Sequence, residues 1–127
     1  MAARLPSLRR TKWIQPTWSI TFTVPVQVVS EANARCHWAA RKRRFDDQAY
    51  AVRMCWPGCN QRGPMVVTLT KLGGKKLDTD NLAGSMKAIR DQIAALLGID
   101  DGDDRLTWQY GQSPGGEVGV RVEIRGK

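Results

Sequence analysis

Histidine occurs once in the 127 residues, at His37, and cysteine three times, at Cys36, Cys55 and Cys59. A lone histidine argues against a His-based catalytic triad and against a multi-histidine zinc nuclease. Three cysteines form no even disulfide framework, so unpaired, partly buried thiols in a reducing compartment are expected. Taken together the four donors read C-H-x17-C-x3-C, which matches no compact zinc pattern. No apolar run approaches the roughly 18 residues of a membrane span. The opening MAARLPSLRRTKW carries charge but no apolar h-region, so it is not a secretory signal. The expectation is a cytoplasmic chain with no membrane partner. Gly73-Gly74-Lys75-Lys76 is too short and wrongly spaced for a phosphate-cradling loop, and no small-molecule cofactor is expected. There is no internal repeat and no low-complexity tract.

Acidic side chains are also few: twelve against twenty Lys and Arg, for a formal net charge of +8 and a pI near 9.9. Their distribution is uneven. Seven of the twelve lie between Asp78 and Asp104, where Lys87 and Arg90 are the only cations, so this stretch carries −5 and the rest of the chain +13. A basic surface attracts a polyanion such as DNA or RNA. A knot of carboxylates on such a surface repels phosphate unless something neutralises it. The usual neutraliser is a hard divalent cation, most often Mg²⁺, held by carboxylates and bridging to phosphate oxygens. The combination points to phosphodiester chemistry.

The length suits one domain over residues 1–127, and 42% hydrophobic content suits an ordinary core. Residues 1–15, basic and punctuated by proline, read as a mobile arm. Alternation over Thr17 to Val24 predicts a strand, and Pro25 opens a loop. A helix is expected over about Ala34 to Trp56, with Trp38, Phe45, Ala49, Val52 and Trp56 as its apolar stripe and Pro57-Gly58 as its stop. Met65 to Lys71 predicts a second strand. A helix from about Asn81 to Leu97 should end at Gly98. Arg105 to Gln112 and Val118 to Ile124 predict two strands, joined as a hairpin by Ser113-Pro114-Gly115-Gly116. The order β-α-β-α-β-β gives an α+β fold, a single mixed sheet packed with two main helices.

At 100° per residue, with Asp80 at zero, Leu82, Met86, Ile89, Ile93, Leu96 and Leu97 fall between about 160° and 260°. Lys87 and Asp91 fall within about 20° of zero, so Asp80, Lys87 and Asp91 share the edge opposite the apolar face. Gly84, near 40°, keeps that edge low for a large ligand. Asp78 and Asp80 are two apart, and in an extended approach such a pair points to one side. Asp80 or Asn81 would also serve as an N-cap. Lys87 and Asp91 equally suit a plain i,i+4 surface pair, and Asp100, Asp101, Asp103 and Asp104 a solvated loop.

D-x-D-N-L over Asp78 to Leu82, then a helix carrying Lys87 and Asp91, then Asp100-Asp101, resembles the RusA-type Holliday junction resolvases. The likeness covers the acidic segment well. It extends more weakly to Val24-Pro25, Asn33 and Gln48-Ala49-Tyr50. It implies a RusA-like α/β homodimer, Mg²⁺ dependence with Mn²⁺ as a substitute, and paired nicks in a four-way junction during DNA recombination and repair, in a bacterial or phage-infected cell. Residue by residue, it implies that Asp78, Asp80 and Asp101 are metal-binding and catalytic, with Asp100 in reserve and Asp91 accessory. It implies Lys87 as the catalytic lysine, with one departure. The best-known members place that lysine one turn after the second aspartate, where this chain has Gly84. A three-residue insertion accounts for Lys87 and Asp91 together.

Lys75, Lys76, Arg35, Arg41, Arg43 and Arg44 are the candidate contacts to DNA phosphates. Trp13 and Trp18 suit either base stacking or packing. The VGVRVEI strand near the C-terminus is a plausible edge for dimer pairing. The rival reading is a non-catalytic basic DNA-binding module, or a degenerate resolvase that binds branched DNA without cutting it.

Overall fold

Period-two alternation of β-branched and aromatic residues builds β1 over Ser19–Val24, whose Ile20, Phe22 and Val24 turn inward. The computed structural model describes residues 18–31 and 38–127. Within them follow α1 (Trp38–Cys55), β2 (Met65–Leu72), α2 (Thr79–Ser85), α3 (Lys87–Leu97), β3 (Leu106–Ser113) and β4 (Gly119–Gly126). The result is a small α+β unit with a mixed four-stranded sheet and three helices, ordered β1-β4-β2-β3. The expected arm over 1–15 lies outside the described residues.

β4 runs antiparallel to both β1 and β2, while β2 and β3 are parallel. The expected hairpin between the last two strands therefore does not form. β2 lies between them, and the segment after Ser113 crosses the end of β2 instead. Gly73 shows the crossing. It has a φ of +68°, and a Cβ there would come within 2.9 Å of the Glu117 carbonyl oxygen. A further consequence is that β4 is an interior strand. The edges are β1 and β3, so the VGVRVEI strand offers no free edge for dimer pairing.

The helices cover one face of the sheet. Across that face run the rows Ile20–Ile124–Val67–Trp108 and Phe22–Val122–Leu69–Tyr110. Val67, Leu69, Val122 and Ile124 in them are fully buried, and each such aliphatic side chain contributes about 1.5–3 kcal/mol of burial. The next row, Val24–Val120–Lys71–Gln112, carries two polar residues on the same face.

α1 stops at Cys55 because Trp56 precedes a proline and is steered away from helical geometry. Trp56 instead meets Phe22 edge-on at 5.7 Å, tying the helix end to β1. The expected stripe of α1 holds for Val52, which is buried, and for Phe45, Ala49 and Trp56, which are half-buried. It fails for Trp38, the first residue of the helix, which is 71% exposed. Gln48 is buried in its stead and donates to the Gln27 carbonyl at 3.3 Å.

The helix expected over about 81–97 is two helices. Ser85 Oγ donates back to the Leu82 carbonyl at 2.7 Å, beside Gly84, a combination that breaks a helix locally. Met86, at φ −98° and ψ 4°, forms the joint. The apolar face survives: Leu82, Met86, Ile89, Ile93 and Leu97 are all buried. α3 ends as expected at Gly98, left-handed at φ 72°, with Gly98 and Ile99 amides capping Ala95 and Ala94 carbonyls.

Candidate functional site

The approach to the acidic segment is fixed by β3. The Gln112 side chain accepts from the Leu77 amide at 2.9 Å and donates to its carbonyl. Asp78 follows in extended geometry and caps α2, its Oδ1 accepting from the Asn81 amide at 2.9 Å. The cap expected of Asp80 or Asn81 thus belongs to Asp78. Asp80 already lies in the first helical turn, so the alternation of an extended chain does not set its direction relative to Asp78. Asp80 is exposed, and its carboxylate makes no hydrogen bond or ion pair among the described residues.

Lys87 Nζ lies 3.0 Å from Asp91 Oδ2, with both side chains about half exposed. This is the plain i,i+4 surface pair. The break at Met86 lies between Asp80 and Lys87, so a single helical projection no longer relates them. Gly84 is exposed, and a Cβ there would meet nothing within 4 Å. Its edge of the helix is low, as expected.

Beyond α3, Asp100, Asp101 and Asp103 are drawn into the loop itself, while Asp104 is exposed and makes no hydrogen bond or ion pair among the described residues. Asp100 Oδ2 accepts from the Gly102 amide at 3.3 Å. Asp101 Oδ2 lies 3.6 Å from Arg90 Nε, an ion-pair distance too long for a hydrogen bond. That length leaves the buried Nε without a hydrogen-bond partner. The Asp101 carbonyl takes the Trp108 indole at 3.0 Å, and Arg90 donates to the Tyr110 hydroxyl at 3.1 Å. Asp103 accepts from the Arg105 guanidinium twice and from its amide at 2.8 Å. Those side-chain bonds, then the amide bond, hold its carboxyl below the usual carboxylate range, and they raise the Arg105 guanidinium in turn.

Asp91, Asp100 and Asp101 line one recess of about 220 Å³ with Ala94, Ala95 and Ile99. Asp78 and Asp80 do not line it. Among the described residues no group of three or more His, Cys, Asp or Glu side chains is placed to hold a metal ion. The expected trio of Asp78, Asp80 and Asp101 is therefore not assembled as a three-ligand cluster. Cys55 and Cys59 are free thiols, half-buried, while Cys36 and His37 lie outside the described residues.

The candidate DNA-contacting cations divide as well. Glu31 is 6% exposed and receives Arg44 through two contacts, Nε at 2.8 Å and Nη2 at 2.5 Å, with Arg41 at 3.6 Å. Arg44 is thus largely committed inside the protein, and Arg41 also lies over the Phe45 ring at 5.4 Å. Arg43, Lys75 and Lys76 are exposed. Arg35 and Trp13 lie outside the described residues. Trp18 packs against the core. Sequence reasoning missed Glu31 as an anchor. The available signal was that it is the only acidic residue before Asp46. It also missed Gln112 and Lys71, both in phase with the inward positions of their strands.

No family model matches the chain, and no curated protein matches it. No helix among the described residues is long and apolar enough to cross a membrane.

Proposed function

We propose that this chain is a Mg²⁺-dependent, structure-selective endodeoxyribonuclease of the RusA type, acting as a homodimer on four-way junctions in the cytoplasm of a bacterial or phage-infected cell. The observation that supports this most is Asp80, an exposed carboxylate without a partner among the described residues, two positions from Asp78. The donors suit the metal: carboxylate oxygens select hard Mg²⁺ or Mn²⁺ over softer ions. Mg²⁺ commonly takes one or two protein carboxylates and completes its shell with water and substrate phosphate, so a preformed cage of three is not required. Asp80 and the Oδ2 of Asp78, whose Oδ1 serves the cap, are the groups that would hold it. Bound metal would supply water activation and charge stabilisation at the scissile phosphate.

Lys87 supplies a cation on the next helix. Its pair with Asp91 is exposed, and such pairs are worth only about 0.3–0.5 kcal/mol, so exchanging Asp91 for a phosphate oxygen costs little. Arg43, Lys75 and Lys76 would follow the DNA backbone.

A second reading, a binder that no longer cuts, is favoured by one arrangement: Asp101 faces Arg90 rather than Asp78 and Asp80. Incubating a labelled synthetic four-way junction with and without Mg²⁺ separates the two. Symmetric nicks that need Mg²⁺ support the nuclease, whereas tight, salt-sensitive binding without nicks at any Mg²⁺ concentration supports the binder.

A further inference from the structure

The fourth inward position of β2 breaks its apolar pattern. Met65, Val67 and Leu69 are fully buried, and the next residue on that face is Lys71, only 6% exposed. Burying an ammonium costs several kcal/mol unless it is paired and hydrogen-bonded. Lys71 Nζ donates to the Gly73 carbonyl at 3.0 Å and the Lys75 carbonyl at 2.8 Å. An ammonium has three donors, and no carboxylate lies within ion-pair distance of this one among the described residues. The turn leaves space for it: Gly74 has a φ of +67°, and a Cβ there would stand 3.0 Å from Nζ.

Lys71 borders a cleft of about 240 Å³ between the 27–30 segment and the turn after β2. Lys75 and Ser30 line the same cleft, and Ser30 Oγ is buried with no hydrogen-bond partner. Two cationic residues and an unsatisfied hydroxyl therefore line one cleft, with no acidic residue in the lining. A site rich in donors and lacking a counter-charge is complementary to an oxyanion.

We infer that this cleft binds a phosphate oxyanion, with Lys71 and Lys75 supplying charge and Ser30 a neutral hydrogen bond. The phosphate is either a diester of a polynucleotide backbone or a free monoanion or dianion; only the first source rests on the nucleic-acid reading. Lys71 also staples the turn, and stapling alone would need neither Lys75 nor Ser30.

The test is amide NMR of the full chain without divalent metal. Sodium phosphate, then a ten-nucleotide single strand without terminal phosphates, is titrated against sodium chloride at matched ionic strength. Saturable shifts confined to residues 28–30 and 73–77 are expected. Lys75→Ala should weaken them about tenfold and Ser30→Ala about fivefold, the usual effects of losing a charged and a neutral hydrogen bond. Lys71→Gln should abolish them. Should that variant fail to fold, the other two decide. Shifts with inorganic phosphate alone assign a free anion, and shifts with the oligonucleotide assign a backbone diester. Absence of shifts with both, shifts that chloride reproduces, or affinities unchanged in Lys75→Ala and Ser30→Ala would overturn the site. A chain that cuts junctions but shows no such shifts loses only this inference. A chain that shows the shifts but neither binds nor cuts junctions loses only the nuclease reading.

Discussion

The two ends of the acidic segment use the same residue type differently. Beyond α3, Asp100, Asp101 and Asp103 are each engaged by a backbone amide or an arginine within the loop or on α3, and of the four carboxylates there only Asp104 has no partner among the described residues. Before α2, Asp78 spends one oxygen on a cap and Asp80 spends none within the described residues. A carboxylate already answered by the protein contributes local order. One left facing solvent on a chain with a +13 remainder keeps its charge available to a ligand. Charge density alone does not separate these cases; the partners do.

The comparison breaks first on Asp80. Asp80→Asn should reduce Mg²⁺-dependent junction nicking at least ~10²-fold, the scale of losing one group that stabilises developing charge. Junction binding should persist or tighten. Asp103→Asn should cut at the wild-type rate in the same assay. Equal rates for the two variants would mean that the ends do not differ in function.

Lys87→Ala comes next. Nicking should fall about 10²–10³-fold if its amine meets the transition state, while thermal stability changes by no more than a few tenths of a kcal/mol. Should it cut normally while Asp80→Asn is dead, Lys75 or Lys76 takes the role.

A smaller effect separates the two duties of Asp78. Asp78→Ala should cost about 1 kcal/mol in urea unfolding through the lost cap, whereas Asp78→Asn, itself a good cap, should cost almost nothing. Both should fail to nick. An Asn variant that nicks normally would leave Asp78 as a cap and nothing more.

The smallest effect lies at the other end. The Asp103 carboxyl is held down by Arg105 in the folded chain. Its contribution to stability is therefore fully present above the unfolded value near about 3.9 and is lost as pH falls through the folded value. Melting curves of wild type and Asp103→Asn should differ slightly at about pH 6 and converge as pH falls through the folded value of the Asp103 carboxyl. A constant difference across that range would remove Asp103 from the acid response.

Much of the scaffold could be read from local pattern. The apolar positions of α2 and α3, the stop at Gly98 and the span of β2 follow from periodicity and from the backbone preferences of single residues. The hairpin could not. Ser113-Pro114-Gly115-Gly116 announces that the chain turns, but not which strand it meets afterwards, and strand order is decided by burial on both sides of β2. The joint at Met86 was hidden because an unbroken apolar stripe passes through it. For the candidate site, the positions of the carboxylates were legible and their partners were not. Arg90 meets Asp101 only because α3 and the following loop fold back on each other, and Lys71 becomes enclosed only once the turn of Gly73 and Gly74 closes over it.

Because β4 sits between β1 and β2, the first described strand has no neighbour in the sheet except the last. During synthesis, β1 must wait, unpaired, while every other described element emerges. Its alternating apolar residues remain uncovered until β4 arrives, and pairings of such large sequence separation form slowly. β4 thus acts as a keystone. Removing it would detach β1 and expose one flank of β2 together. Strand loss at this end should therefore register as failure of the whole sheet, and a nascent chain stalled before Gly119 should depend on a holding partner to stay soluble.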